Sequence, residues 1–418
     1  VRERGATQIV YIVTGVLGRA VRLWLGLVEP RTDLPIMILD MVEPGAVGKV
    51  LTLRDQMPTI VVHAGPFDTP QAQALAAALP ADLLVPLPPN TGERFGALTA
   101  PALLPAALQG LAWRDMLQQV RMGDATWRNV NEEDHPGFHL GAALGTSAQA
   151  GRDLLYLHVP SAQETMARWL EAFVSGALGK HRRGFVPFVN HAVISEQIRH
   201  SVVVQISDER SANDAAVYDH LHRSGVPVIR CAVNNPADVA VLVWTWQLAV
   251  AVSAMVIGLN PFDAPDADVI NARIAQQVDH APAALSGIPP DWRQSLQQAR
   301  FLALAVYLPH ENTLQLQQMC VSLAQSLRMP VTLLFPQRDW LWELQLLHAG
   351  RPHGAILALS SATPPSDPRL APLHALQRAQ LAVELDTWRR MSRPVAHLQM
   401  NKEKTTSVVD ALSDLLTS

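Results

Sequence analysis

The residue types most suggestive of chemistry lie in one stretch, Pro88-Pro89-Asn90-Thr91-Gly92-Glu93-Arg94-Phe95-Gly96. Its prolines and glycines fix a loop directly after a strand-like run, and Arg94 stands at the tip, ahead of a helix ending around Gln109. A guanidinium at the carboxyl end of a parallel strand is well placed to meet an anionic intermediate. A surface or interface ion pair would use the same arginine. A second possible anion cradle is Gly15-Val16-Leu17-Gly18, where backbone N–H groups would point out of a first helical turn. It has neither GxGxxG nor the Lys-Ser/Thr pair of a nucleotide loop, so its plainer reading is a tight strand-to-helix turn.

Other chemistries find little support. No GxSxG marks a serine nucleophile, and Ser175 and Ser207 carry no local signature. There are 15 histidines, yet neither His220 with His222 nor His348 with His353 has the spacing of a motif such as HExxH, so no metal is expected. Cys231 and Cys320 lie far apart and outside any CxxC, which fits a reducing, cytoplasmic compartment. The formal charge of -4 offers no basic stripe to a nucleic acid. The run Lys180-His181-Arg182-Arg183 reads as a solvated turn.

The elements that would position these groups alternate regularly. Apolar, β-branched runs at Ile9–Val13, Ile36–Asp40, Thr59–Ala64 and Leu83–Leu87 are separated by helix-like stretches. A helical zone follows, and the alternation restarts at Leu154–Val159, Ser201–Ile206, Val226–Ala232, Phe301–Leu308, Val331–Phe335 and Ala355–Leu359. Continuous apolar strands between helices are what a parallel sheet covered on both faces requires, the doubly wound α/β pattern. With 418 residues, 49% hydrophobic and 17% charged, the chain has material for two domains, 1–150 and 151–418. Val239–Leu259 carries no charge and is long enough to span a bilayer. Bounded by Asp238 and Asn260-Pro261, it reads instead as a buried helix, and no membrane association is expected. No signal-peptide pattern follows Val1–Gly5, and residues 401–418 read as a polar stretch and then a docking helix.

The sequence resembles the glucose-6-phosphate isomerase family, most of all the isomerase half of transaldolase/isomerase fusions. The family loop, roughly PxxIGGRYSALS and then GLVPAALxG, appears as Pro89 to Thr99 and Leu103 to Gly110. Asn260-Pro261-Phe262-Asp263-Ala264-Pro265-Asp266 is similar to NPFDQPxVE. Trp169-Leu170-Glu171, Gly179-Lys180 and Gly184-Phe185-Val186-Pro187 are similar to a WLEQLIAESTGKEGKGIVPV segment. The resemblance implies two sugar-isomerase (SIS-type, flavodoxin-like) domains, each a five-stranded parallel sheet with helices, usually in a homodimer. It implies interconversion of glucose 6-phosphate and fructose 6-phosphate through a cis-enediolate, without metal or organic cofactor. The possible partners are a sugar phosphate, a second copy, or an active transaldolase/isomerase. The family's leading helices and the transaldolase half are not in this sequence, which reads as a fragment or a separate gene.

The reaction needs a carboxylate base, a ring-opening acid/base pair, a cation over the enediolate and hydroxyls around the phosphate. Carried over residue by residue, only part of this survives. The cation is Arg94, with Gly92 kept before it but the next glycine replaced by Glu93. The base position is Gly176, the lysine position Asn271 and the histidine position Trp342, while the downstream His348 matches. The phosphate loop SKSGTT falls on His63 to Thr69, where Asp68 intrudes and only Thr69 keeps a hydroxyl. GMGGSS falls on Thr14 to Arg19, where Arg19 supplies a charge in place of serines. The expectation is a degenerate isomerase with weak activity or none. The alternative is an active aldose-ketose isomerase using relocated groups such as His63 or Glu343.

Overall fold

The structure, a computed structural model, describes residues 7–40, 42–67, 69–131, 134–207, 215–279, 287–308, 313–361 and 367–400. Asp68 and the helix expected in 401–418 lie outside the described residues.

Among the described residues the strands form three four-stranded sheets. The first contains β1 (Gln8–Ile12), β2 (Ile36–Leu39), β3 (Thr59–Ala64) and β4 (Leu83–Val85), the second β5 (Leu154–His158), β6 (Val186–Val189), β7 (Ser201–Ser207) and β8 (Val228–Ala232). The third contains β9 (Phe301–Tyr307), β10 (Val331–Leu334), β11 (Gly354–Ser361) and β12 (Val395–Met400). Their orders are β2-β1-β3-β4, β6-β5-β7-β8 and β10-β9-β11-β12, one arrangement three times over. Every pairing between these strands is parallel, and one isolated antiparallel bridge joins Gly287 to His397. The α/β class and the parallel sheets are as expected. The expectation of two five-stranded sheets is corrected: 151–418 holds two sheets, because the run opening at Phe301 becomes the second strand from the edge of a new sheet rather than an extension of the last.

Helices follow the strands in each unit. The first has α1 (Gly15–Leu25), α2 (Pro44–Gln56) and α3 (Pro70–Ala78), then α4 (Ala100–Leu108), α5 (Trp113–Trp127) and α6 (Pro136–Gln149). The second has α7 (Glu164–Leu178), α8 (Ala215–Arg223), α9 (Pro236–Ile257) and α10 (Pro265–Gln277). The third has α11 (Trp292–Gln298), α12 (Thr313–Leu327), α13 (Pro336–Ala349) and α14 (Ala371–Arg390).

Strand residues alternate between cores, as a sheet buried on both faces must. Ile9 and Tyr11 enter a core shared with Leu155 and Leu157 of the second sheet, whereas Val10 and Ile12 enter one shared with Leu373 and Val383 of α14. Tyr156 and Phe188 of the second sheet meet Ala303 and Ala305 of the third, whose other face, with Leu302 and Leu304, is covered by α11 and α12. Each pair of units therefore shares a core.

The apolar segment is α9, whose most apolar window is 67% buried. It lies against α6, where Gly137, Gly141 and Gly145 form a stripe one turn apart facing Leu248, Val252 and Val256. A β-carbon on Gly141 would sit 2.6 Å from the Ala249 carbonyl oxygen and 2.6 Å from the Val252 β-carbon.

Candidate functional site

Arg94 lies in a single 3₁₀ turn, Glu93–Leu98, between β4 and α4. The loop does not hold it out to solvent: Arg94 is 4% exposed. Its Nη1 donates to the Gly176 carbonyl at 2.8 Å, and its Nη2 to the carbonyls of Phe262 at 2.9 Å and Asp263 at 2.7 Å. Arginine, base position and NPFD-like segment, far apart in the chain, thus meet at one point. Burial pushes the guanidinium down to about 10, against the opposing pull of Glu93, Asp263 and Asp268.

Lys180 joins them. Its ammonium is 1% exposed and donates to the Asn260 carbonyl at 2.7 Å, to Asp263 Oδ1 at 2.8 Å and to the Asp263 carbonyl. Burial, and then Arg94, push its pKa down to about 8. The basic run was expected to be a solvated turn, and for Lys180 this is corrected. Its ammonium is held by oxygens of the 260–263 segment, which replace water. The signal available in the sequence was Lys180 standing in a motif beside Gly179.

The other sequence-derived residues are dispersed. Thr69 caps α3, its Oγ1 accepting from the Ala72 N–H at 3.2 Å. Gly92 is an exposed residue opening the 3₁₀ turn at φ -71°. Asn271 lies within α10. Trp342 and Glu343 belong to α13, but their side chains fall outside the described residues. His348, also on α13, is 1% exposed, stacks on Trp388 at 5.8 Å, and is pushed down to about 3 by burial and then by Arg393. A neutral, enclosed imidazole cannot reach a sugar ring oxygen. His63 is likewise buried, with Nε2 2.9 Å from the Leu79 carbonyl oxygen.

The Gly15–Gly18 turn opens α1 tightly, since a β-carbon on Gly18 would lie 3.1 Å from the Val13 oxygen. Arg19 follows it, half-buried, and lines a cleft of about 1160 Å³ whose lining does not include Arg94. Residues of that cleft that drew no attention in the sequence include Asp40, Arg168, His191 and Arg338. Glu164, Arg168 and Glu171 do have helical ion-pair spacing, which was the one legible signal.

No protein-family model matches the chain. A curated relative, glucose-6-phosphate isomerase of Bacillus cytotoxicus, is 21% identical over 221 residues, covering 43% of this chain and 49% of that protein. The chain thus matches about half the length of this relative. Among solved structures, a hypothetical protein from Thermus thermophilus superposes with a TM-score of 0.55 at 16% identity, covering 66% of this chain and 86% of that one. A glucose-6-phosphate isomerase from Chlamydia trachomatis gives 0.52 at 13% identity, covering 66% and 70%. At these identities the superpositions speak for the fold. The curated match points the same way: over part of its length the chain is similar to a glucose-6-phosphate isomerase.

Proposed function

We propose that this chain is a glucose-6-phosphate isomerase relative whose catalytic constellation has become structural, leaving weak sugar-phosphate isomerase activity or none. The observation that carries the reading is the three-carbonyl clamp on Arg94. A cation that stabilises an enediolate must aim its N–H groups at the developing oxyanion. Here three bonds are already made to protein, one of them to the residue that stands where a base would be. Glycine at 176 has no group to take a proton from carbon, and loss of a general base alone lowers a rate roughly a hundredfold to ten-thousandfold. His63, the relocated base considered from sequence, is buried against the Leu79 carbonyl, which speaks against the active alternative.

The test is a dehydrogenase-coupled assay of the purified chain with fructose 6-phosphate. Turnover at the buffer level is expected. Robust turnover that disappears in Arg94→Ala, with the variant still folded, would contradict the proposal.

A further inference from the structure

In the second sheet, β6-β5-β7-β8, the chain leaves β5 for β6 on one side and β7 for β8 on the other. The helices that follow lie on opposite faces, α7 in the core of Leu155 and Val204, α8 in that of Tyr156 and Val203. A crevice opens outside the carboxyl ends of two such strands, where ligands of open parallel sheets settle. A cavity of about 420 Å³ lies there, lined from the ends of β5, β6 and β7 and from α8. That volume suits a small molecule.

Alternation along the strands sets its chemistry. The face that carries Tyr156, Phe188 and Val203 deeper in the sheet continues as His158, Asn190, Gln205 and Ser207 at the strand ends. Among the described residues the lining holds no Asp, Glu, Lys or Arg. Gln205 is 8% exposed, and its side-chain amide has no hydrogen-bond partner among the described residues. An enclosed amide in that state is costly until something in the cavity meets it. Asn190 Oδ1 accepts from the Val159 N–H at 2.9 Å, and His158 Nε2 donates to the His191 carbonyl at 2.8 Å, so the loop after β6 is tied to the end of β5. His191, pushed down to about 4 by burial and then by Arg168, is a neutral ring with one donor and one acceptor. The rings of His158 and Tyr218, 5.7 Å apart and tilted, add flat faces beside these polar groups.

We propose that this cavity binds the uncharged ring of a nucleobase or nucleoside, with the Gln205 amide reading the edge of the base. A planar amide sets a donor and an acceptor side by side, and a base edge presents the matching pair in one plane. Bases also stack on the rings of Tyr and His. The rotating hydroxyls of a sugar need no such plane, and a phosphate would need a cation that the described lining lacks. The site uses none of the residues of the Arg94 clamp, so it stands or falls apart from the proposed loss of isomerase activity.

The experiment is saturation-transfer NMR on the whole protein with adenosine, uridine, ribose and AMP as probes. Adenosine or uridine is expected to receive saturation, its base protons more than its ribose protons, and ribose alone none. The tighter nucleoside identifies the base. AMP should bind no better than adenosine. In Gln205→Leu, the nucleoside concentration giving half-maximal transfer should rise roughly tenfold or more, the loss of a paired contact to a base edge. Should that variant not fold, the wild-type protein gives a second reading through His191. Nucleoside should slow its acylation by diethyl pyrocarbonate, read by mass spectrometry, while exposed His181 reacts at an unchanged rate. No transfer to either nucleoside at about 5 mM, enough to fill a millimolar site, would overturn the proposal. So would a response to ribose as strong as that to the nucleosides, AMP binding more than roughly tenfold tighter than adenosine, an unchanged titration in folded Gln205→Leu, or equal acylation of His191 with and without nucleoside.

Discussion

Arg94 and Lys180 are two buried cations that share one short segment, Asn260–Asp263, as their acceptor. Removing Arg94 takes a charged donor from the carbonyls of Gly176, Phe262 and Asp263, the last of which keeps Lys180, and bonds from a charged donor contribute about 1.5–3 kcal/mol each. Arg94→Ala should therefore lower unfolding free energy by about 3 kcal/mol or more in denaturant titrations. Gly92→Ala, two residues away, should stay within about 0.5 kcal/mol, because its φ is ordinary and a β-carbon there meets nothing within 4 Å. The sequence singled out Arg94 through its loop, but not its fate. Its partners lie 82 and 168 residues along the chain and are backbone oxygens, which have no signature in residue type.

A second buried group sets a pH dependence. Glu384 is fully enclosed, accepts from the Tyr307 hydroxyl and from Gln380 Nε2 at 2.8 Å, and is pushed up by burial from 4.5 to about 8. The folded state then binds a proton more tightly than the unfolded chain. This contribution is fully present below pH 4.5 and is lost as pH rises through about 8, at about 1.4 kcal/mol per unit between them. Glu384→Gln should flatten that fall when unfolding free energy is compared at pH 5 and pH 8. An unchanged slope would place the dependence elsewhere.

At the scale of elements, most of the strands were legible because a parallel strand buried on both faces is an unbroken apolar run. Two were not. β6 contains Pro187, which normally argues against a strand, but β6 is an edge strand and an edge can lack a donor. β12 carries His397 and Gln399 among its apolar residues, and it too is an edge. The uncharged segment that could have been a membrane span is explained by its neighbour, since the glycine stripe of α6 lets α9 come close. Gly141→Ala forces a β-carbon into the α9 backbone and should cost about 1–3 kcal/mol by thermal or denaturant unfolding. Gly123→Ala on α5, where the nearest atom is 3.6 Å away, should instead stabilise by about 0.5–1 kcal/mol, as alanine replaces glycine in a helix.

For the whole molecule, the repeated strand order shows three α/β units, and although the third keeps one core of its own under α11 and α12, each unit shares a core with each of the others. The first shares one core with the second and another with the third, and the second and third share a further one. Scanning calorimetry should therefore give one cooperative transition, and separate transitions would contradict this packing. The alternation of strands and helices was readable in sequence, but the number of sheets was not, because nothing local says whether a new strand extends an old sheet or starts another. That shared packing also places Arg94, Gly176 and Asp263 together while filling the space between them. On the proposed reading, this meeting point moves no proton. Glucose 6-phosphate deuterated at C2, incubated with the purified chain and followed by NMR, reads that step even when no product accumulates. Loss of deuterium at the rate of buffer alone is the expected result. Enzyme-dependent washout that vanishes in a folded Arg94 variant would contradict the claim.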